Sequence, residues 1–171
     1  MNRIARFDKV SFEQFSKDFE NCIKDKDINI SAKEAYDMIK LPLRATKGSA
    51  GYDFFAPFDM KLKPGETLRV PTGIRCSIEE NWMLSLYPRS GLGFKYRLQL
   101  DNTVGIIDSD YYYSDNEGHI QIKISNCSLE GKSLEVLQGQ GFAQGIFTQY
   151  GITVDDEADG LRNGGFGSTT K

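Results

Sequence analysis

The sequence is poor in the residues that staple or ligate. Three cysteines, Cys22, Cys76 and Cys127, stand far apart beside a single histidine, His119, in 171 residues. No zinc spacing and no disulfide framework can be built from that set, so the thiols are expected to be reduced and at least partly buried. No apolar run approaches the roughly 20 residues that cross a bilayer, and MNRIARFDKVSFEQF turns charged before an apolar stretch can form. The expected location is therefore cytoplasmic. A basic excess is missing too: 21 Lys and Arg stand against 24 Asp and Glu, with no basic block. Affinity for duplexes comes mostly from neutralising phosphates, so neither nucleic acid nor a membrane is expected as a partner, while a small anion is. A Walker A loop is also lacking, since no Gly-Lys-Ser/Thr occurs.

What helical periodicity there is lies at the start. Ser11 with Gln14 has capping-box spacing, Val10 with Phe15 has that of a hydrophobic staple, and Phe12, Phe15, Phe19 and Ile23 then share one helical face. Ser31 with Glu34 repeats the capping box and opens a helix carrying Tyr36, Met38 and Ile39 until Pro42. Residues 1–40 thus read as a helical extension. From Leu41 the texture changes. Ile120, Ile122 and Ile124 alternate with Gln121 and Lys123, and Met83 to Tyr87 is similar, the period of half-buried strands. Breaks are expected at Lys63-Pro64-Gly65, Pro71-Thr72-Gly73 and Gly91-Leu92-Gly93. Many short strands so spaced predict an all-β barrel or sandwich, not a doubly wound fold.

Five stretches in this body carry chemistry. AGYDFFA sets Asp53 among aromatics, where a strand disfavours it, so it is either a turn-capping residue or kept for its charge. PRSGLG offers the Arg89 guanidinium, the Ser90 hydroxyl and open backbone N–H groups at Gly91, a set that suits phosphate or, equally, an oligomer interface. DNTVGIIDSDY places Asp108 and Asp110 two apart, on one side if the segment is a strand, and a carboxylate near a polyphosphate is a natural general base. GQGFAQGIF puts Gln144 in an apolar strand, where its amide must find a partner, by default a backbone one. Last comes RNGGFGSTTK, residues 162–171, glycine-rich and aperiodic around one aromatic, Phe166. By composition alone that ending reads as a disordered tail.

In this order the five stretches resemble the motifs of the trimeric dUTPase family, over residues 41–171. The resemblance implies a jelly-roll-like β barrel at 41–161, flanked by the 1–40 extension and by a flexible C-terminal arm, 162–171. It implies hydrolysis of dUTP to dUMP and pyrophosphate, which limits uracil in DNA and supplies dUMP for dTMP synthesis. Asp108 matches the catalytic base. Tyr111 matches the residue under the deoxyribose, and Asn102, Gly105 and Ile106 match the hairpin that reads uracil. Arg89, Ser90, Gly91 and Gln144 match phosphate ligands. In the arm, Arg162, Ser168 and Thr169 match phosphate contacts, Phe166 matches the lid over the base, and Gly164, Gly165 and Gly167 match its glycine hinge.

Mg²⁺ is the implied cofactor, held by triphosphate and water, with Asp53 reaching it only through water. The implied assembly is a homotrimer in which three chains share each site. Three features depart from the commonest pattern: Tyr112 to Glu117 lengthens the segment after Tyr111, Arg162 stands one residue closer to the Gly-Gly pair, and Thr170 replaces a frequent glycine. Two other functions stay open at this point. A dCTP deaminase of the same fold would use a glutamate base, and a phage-type relative would add a regulatory protein partner.

Overall fold

The computed structural model describes residues 2–24, 26, 28–160 and 162. Chain order runs β1 (Ala5–Lys9), α1 (Phe12–Ile23), α2 (Ala32–Asp37), β2 (Tyr52–Phe55), β3 (Met60–Leu62), β4 (Thr67–Pro71), β5 (Ile74–Ile78) and β6 (Trp82–Pro88). It continues with α3 (Ser90–Tyr96), β7 (Leu98–Leu100), β8 (Gly105–Ile107), a 3-10 helix (Ser109–Tyr113), β9 (Gln121–Asn126), β10 (Leu134–Val136) and β11 (Gly141–Gln149). The strands form four antiparallel sheets, ordered β2-β11-β6-β8, β4-β9-β7, β3-β10 and β1-β5. This is the all-β, jelly-roll-like architecture, with helix confined to short pieces.

The isoleucine alternation builds the centre of the three-stranded sheet. Ile122 lies opposite Val70, and Ile124 lies opposite both Leu68 and Leu100, all of them buried. Burial of each such side chain contributes about 1.5–3 kcal/mol, so β9 is fixed in register by its inward face. A slip of one residue would turn Lys123 into the core. β6 departs from simple alternation, because Leu84, Ser85 and Leu86 are all buried. It lies between β11 and β8, a central position where both faces are covered.

The extension is not purely helical. ARFDK forms β1 and pairs with β5, Phe7 opposite Cys76. Val10 and Phe15 are both buried around the Ser11 cap, and Phe15 and Phe19 enter the main core, where the Phe19 ring stands edge-on to Phe58 at 5.6 Å. Phe12, expected on that face, is 40% exposed and leans on Tyr36 instead. Ser11 accepts the Gln14 N–H at 3.1 Å, but the reciprocal acceptor for the Ser11 N–H is the Glu117 carboxylate at 2.7 Å. Gln14 turns away to Asp18, 2.7 Å off. The Ser31–Glu34 capping box is complete, yet α2 stops at Asp37, five residues before Pro42.

Two further expectations are corrected. Gly91-Leu92-Gly93 is no turn: it lies inside α3, which Arg89 caps and which ends on left-handed Arg97. Tertiary packing of Tyr96 and Leu92 overrides the low helix propensity of the two glycines. Asp108 and Asp110 do not share a strand side, since β8 ends at Ile107 and both belong to the 3-10 turn that follows.

Candidate active site

The first group of expected residues gathers where β2 and β6 flank β11. Register sets Asp53 and Tyr87 on either side of Gln144. β6 ends at Pro88, so Arg89 turns back over the sheet and its Nε lies 3.3 Å from the Asp53 carboxylate. Gln144 donates from Nε2 to the Pro88 carbonyl at 3.3 Å, which supplies a backbone partner for the buried end of that amide. Two glycines make room for this arrangement. A Cβ on Gly51 would fall 2.5 Å from the Gln144 Oε1, and one on Gly141 would fall 2.8 Å from an Arg89 guanidinium nitrogen. The result is an open cleft of about 390 Å³ lined by Asp53, Arg89, Ser90 and Gln144, with Ser49 and Gly51 at its rim. A guanidinium, hydroxyls and an amide facing one cleft can bind phosphate oxygens.

The second group stands at a corner between sheets. β7 pairs with β9 and β8 pairs with β6, so the turn 101–104 carries the chain from one sheet to the other. Asn102 and Gly105 are therefore not opposite strands of one hairpin. Thr103 takes the left-handed conformation, φ 62°, that the corner requires. Below it lies a cavity of about 350 Å³ lined by Asn102, Gly105, Leu86, Leu100, Ile122 and Lys123, among others. Gly105 sits tight against Leu86, 3.1 Å from where its Cβ would be, and Ile106 beside it is 46% exposed. Asp101 closes one side of the cavity, bonded by Lys123 at 2.8 Å and by Ser125. Burial alone would raise its carboxyl, but those two donors hold it below the ordinary range.

The third group is the turn after β8. Asp108 caps the 3-10 helix, and its carboxylate is 38% exposed. Tyr111 donates its N–H to the Asp108 carbonyl at 3.2 Å, so the two side chains are mounted on one turn. The Tyr111 ring is buried, and burial pushes its phenol up. Its hydroxyl donates to the His119 carbonyl at 3.0 Å and accepts from Asn116 Nδ2 at 2.8 Å. Arg162 bridges the two acids, bonding Asp108 and lying 2.8 Å from Asp110.

Gly167, Phe166, Ser168 and Thr169, expected in the arm, lie outside the described residues. Arg69 and Lys123 in the corner cavity, and Asp18 and His119 behind Tyr111, were not singled out from the sequence as site residues. The one available signal was an acid among the phenylalanines of α1, because Asp18 and His119 are 101 positions apart. A larger cavity of about 550 Å³, lined by Lys26, Met60, Lys61, Lys63, Glu135 and Leu137 among others, includes none of the expected site residues.

The chain is similar to known proteins in sequence and in fold. A family model described as dUTPase matches residues 37–170. The deoxyuridine 5'-triphosphate nucleotidohydrolase of Lactococcus lactis is 39% identical over 134 residues, which cover 77% of this chain and 88% of that one. The protein of the same name from Shigella flexneri is 35% identical over 153 residues, 85% of this chain and 97% of its own. In three dimensions the chain is similar to the dUTPase from Streptococcus mutans, with a TM-score of 0.62 at 26% identity over 86% of this chain and 97% of that one. With motif order, sheet architecture and relatives agreeing across most of its length, the chain belongs to the dUTPase family.

Proposed function

We propose that the chain hydrolyses dUTP to dUMP and pyrophosphate, with Asp108 as general base. The observation that carries the reading is the placement of a half-exposed carboxylate on the same turn as Tyr111, directly after the Asn102 to Ile106 corner. Asp108 takes a proton from water as the water oxygen bonds to the α-phosphorus. The bond from that phosphorus to the bridging oxygen breaks, and pyrophosphate leaves with its electrons.

Arg89, Ser90, Gly91 and Gln144 hold phosphate oxygens, and the backbone of Asn102, Gly105 and Ile106 reads the uracil edge. Tyr111 lies against the sugar, where an added 2′-hydroxyl clashes. The arm, with Arg162, Phe166, Gly167, Ser168 and Thr169, closes on bound nucleotide in a homotrimer that shares its sites. Sharing is supported by the division of the expected residues of one chain between two different cavities. Among the described residues no group of three or more His, Cys, Asp or Glu could cage a metal. The Asp53 carboxylate, which lines the cleft with Arg89 and Ser90, would serve as a water-mediated neighbour of Mg²⁺ carried in by the triphosphate. When bound, the ion offsets negative charge on the phosphate oxygens. The product dUMP then serves dTMP synthesis, and the reaction keeps uracil out of DNA, in a reducing cytoplasm.

Release of pyrophosphate from dUTP, dTTP, dCTP and UTP tests the reading, with Asp108→Asn beside the parent. Only dUTP should turn over, and the variant should lose about 10²–10⁴-fold in rate while still binding nucleotide. Equal turnover of dTTP would remove the uracil-reading role, ammonia from dCTP would make the chain a deaminase, and an active Asn variant would move the base elsewhere.

A further inference from the structure

A hydrogen-bonded chain runs from the N-terminal extension to the turn that carries Asp108. It begins at Asp18, buried on the inner face of α1, whose carboxylate accepts from Gln14 Nε2 at 2.7 Å and meets His119 Nδ1 at 2.6 Å. His119 is wholly buried, and its Nε2 accepts the Gly73 N–H at 2.8 Å. A ring nitrogen that accepts carries no proton, so the imidazole proton sits on Nδ1 and points at Asp18. The imidazole is thereby fixed from both sides. Its own carbonyl in turn takes the Tyr111 hydroxyl at 3.0 Å.

Two more contacts join the same two segments. The Glu117 carboxylate accepts from both the N–H and the Oγ of Ser11, and the Tyr112 hydroxyl donates to Asp8 at 3.0 Å. Residues 8, 11 and 18 therefore grip residues 112 and 117, the two ends of the stretch that lengthens the loop after Tyr111, and residue 119 just beyond it. Opening that loop by extra residues should loosen the tyrosine, and the extension supplies what holds it. An apolar pair would pack such a spot at no desolvation cost, whereas a buried acid and imidazole fix orientation.

We propose that Asp18, acting through His119, is a positioning residue that sets the place of Tyr111 and with it the discrimination between deoxyribose and ribose. The proposal rests on Tyr111 being the sugar contact. Asp18 touches no substrate; it orients the imidazole, the imidazole orients residue 119, and the carbonyl of 119 holds the phenol. Asn116 secures the phenol from its other side. Loss of any member lets the ring move away from the sugar without removing the ring.

The test is the ratio of kcat/KM on dUTP to kcat/KM on UTP for the full chain carrying Asp18→Ala, Asn116→Ala or Tyr111→Phe. Each should lower the ratio about tenfold, as small misplacements of positioning groups do, and Asp18→Asn, which keeps one acceptor for His119, should restore most of it. Combining Asp18→Ala with Tyr111→Phe should cost no more than either alone, since both break one path. A merely structural role lowers the amount of folded enzyme and leaves the ratio unchanged, and that result in the folded variants overturns the proposal. Where Asp18→Ala does not fold, Gln14→Ala, which removes the other hydrogen bond that holds the Asp18 carboxylate, decides by the same ratio. A parent enzyme without dUTP turnover would instead sink the function, and a parent with no preference for dUTP over UTP would sink the role of Tyr111.

Discussion

At the scale of single residues, the chain spends backbone freedom where the site needs shape. Gly118 has φ 67°, and a Cβ there would lie 2.7 Å from both the Tyr111 carbonyl oxygen and the Tyr112 Cα. These are backbone atoms, which cannot swing aside as a side chain does. Gly118→Ala should therefore destabilise the fold by about 1–3 kcal/mol or more, read as a lower midpoint in thermal or urea unfolding, while Gly65→Ala, at a similar φ but in open space, should lose only the conformational part. Nothing in the sequence marks the contact of Gly118 with the tyrosine backbone, which only the folded turn creates. The same holds for the phosphate cleft. Resemblance names Asp53, Arg89, Ser90 and Gln144 one by one, but their meeting depends on the register that sets Asp53 and Tyr87 on either side of Gln144, and register is a property of pairs of strands.

At the scale of elements, legibility followed the strength of local signals. β9 announces itself because three isoleucines repeat on one face, and both helix starts announce themselves through Ser11 and Ser31. β1 left no such mark: five residues with one large apolar side chain, Phe7, are too few to show a period, and the strand exists because β5 offers an edge. α3 was hidden by its glycines, and the corner at 101–104 by the fact that its two strands join different sheets. α1 was legible as amphipathic but not as part of the core. Its Phe19 ring is fully buried against Phe15 and Phe58. Phe19→Ala should cost about 3–5 kcal/mol, measurable by denaturant titration; a change near zero would mean that α1 lies loosely on the barrel.

At the scale of the whole molecule, two acids tie the extension to the barrel. Asp18 and Glu117 both hold a proton less tightly than their ordinary values of 3.8 and 4.5, because hydrogen bonds from His119 and Gln14, and from Ser11, outweigh burial that would raise them. A carboxyl whose folded value is depressed adds stability above its unfolded value and loses it as pH falls through the folded one. Stability from these two groups should therefore be flat from neutrality to about pH 5 and fall away below about pH 4. A series of melts across that window checks it, and Glu117→Gln should flatten part of the fall. The thiols add nothing in this range. Burial pushes Cys22 up to about 11 and Cys76 higher still.

The contact between Asp18 and His119 also orders events in time. Ala5 finds its partner only at Ile78, and Asp18 only 101 residues further along the chain. A ribosome adding about 5–20 residues per second needs roughly 5–20 s to supply that partner. Throughout that interval the phenylalanines of α1 can already meet Tyr36 and Phe58, but Asp18 has only Gln14 and waits for its imidazole. The first segment to be made is thus seated early by its strand and its phenylalanines and locked late by its acid, and only then does the turn bearing Asp108 gain its last support from the N-terminus.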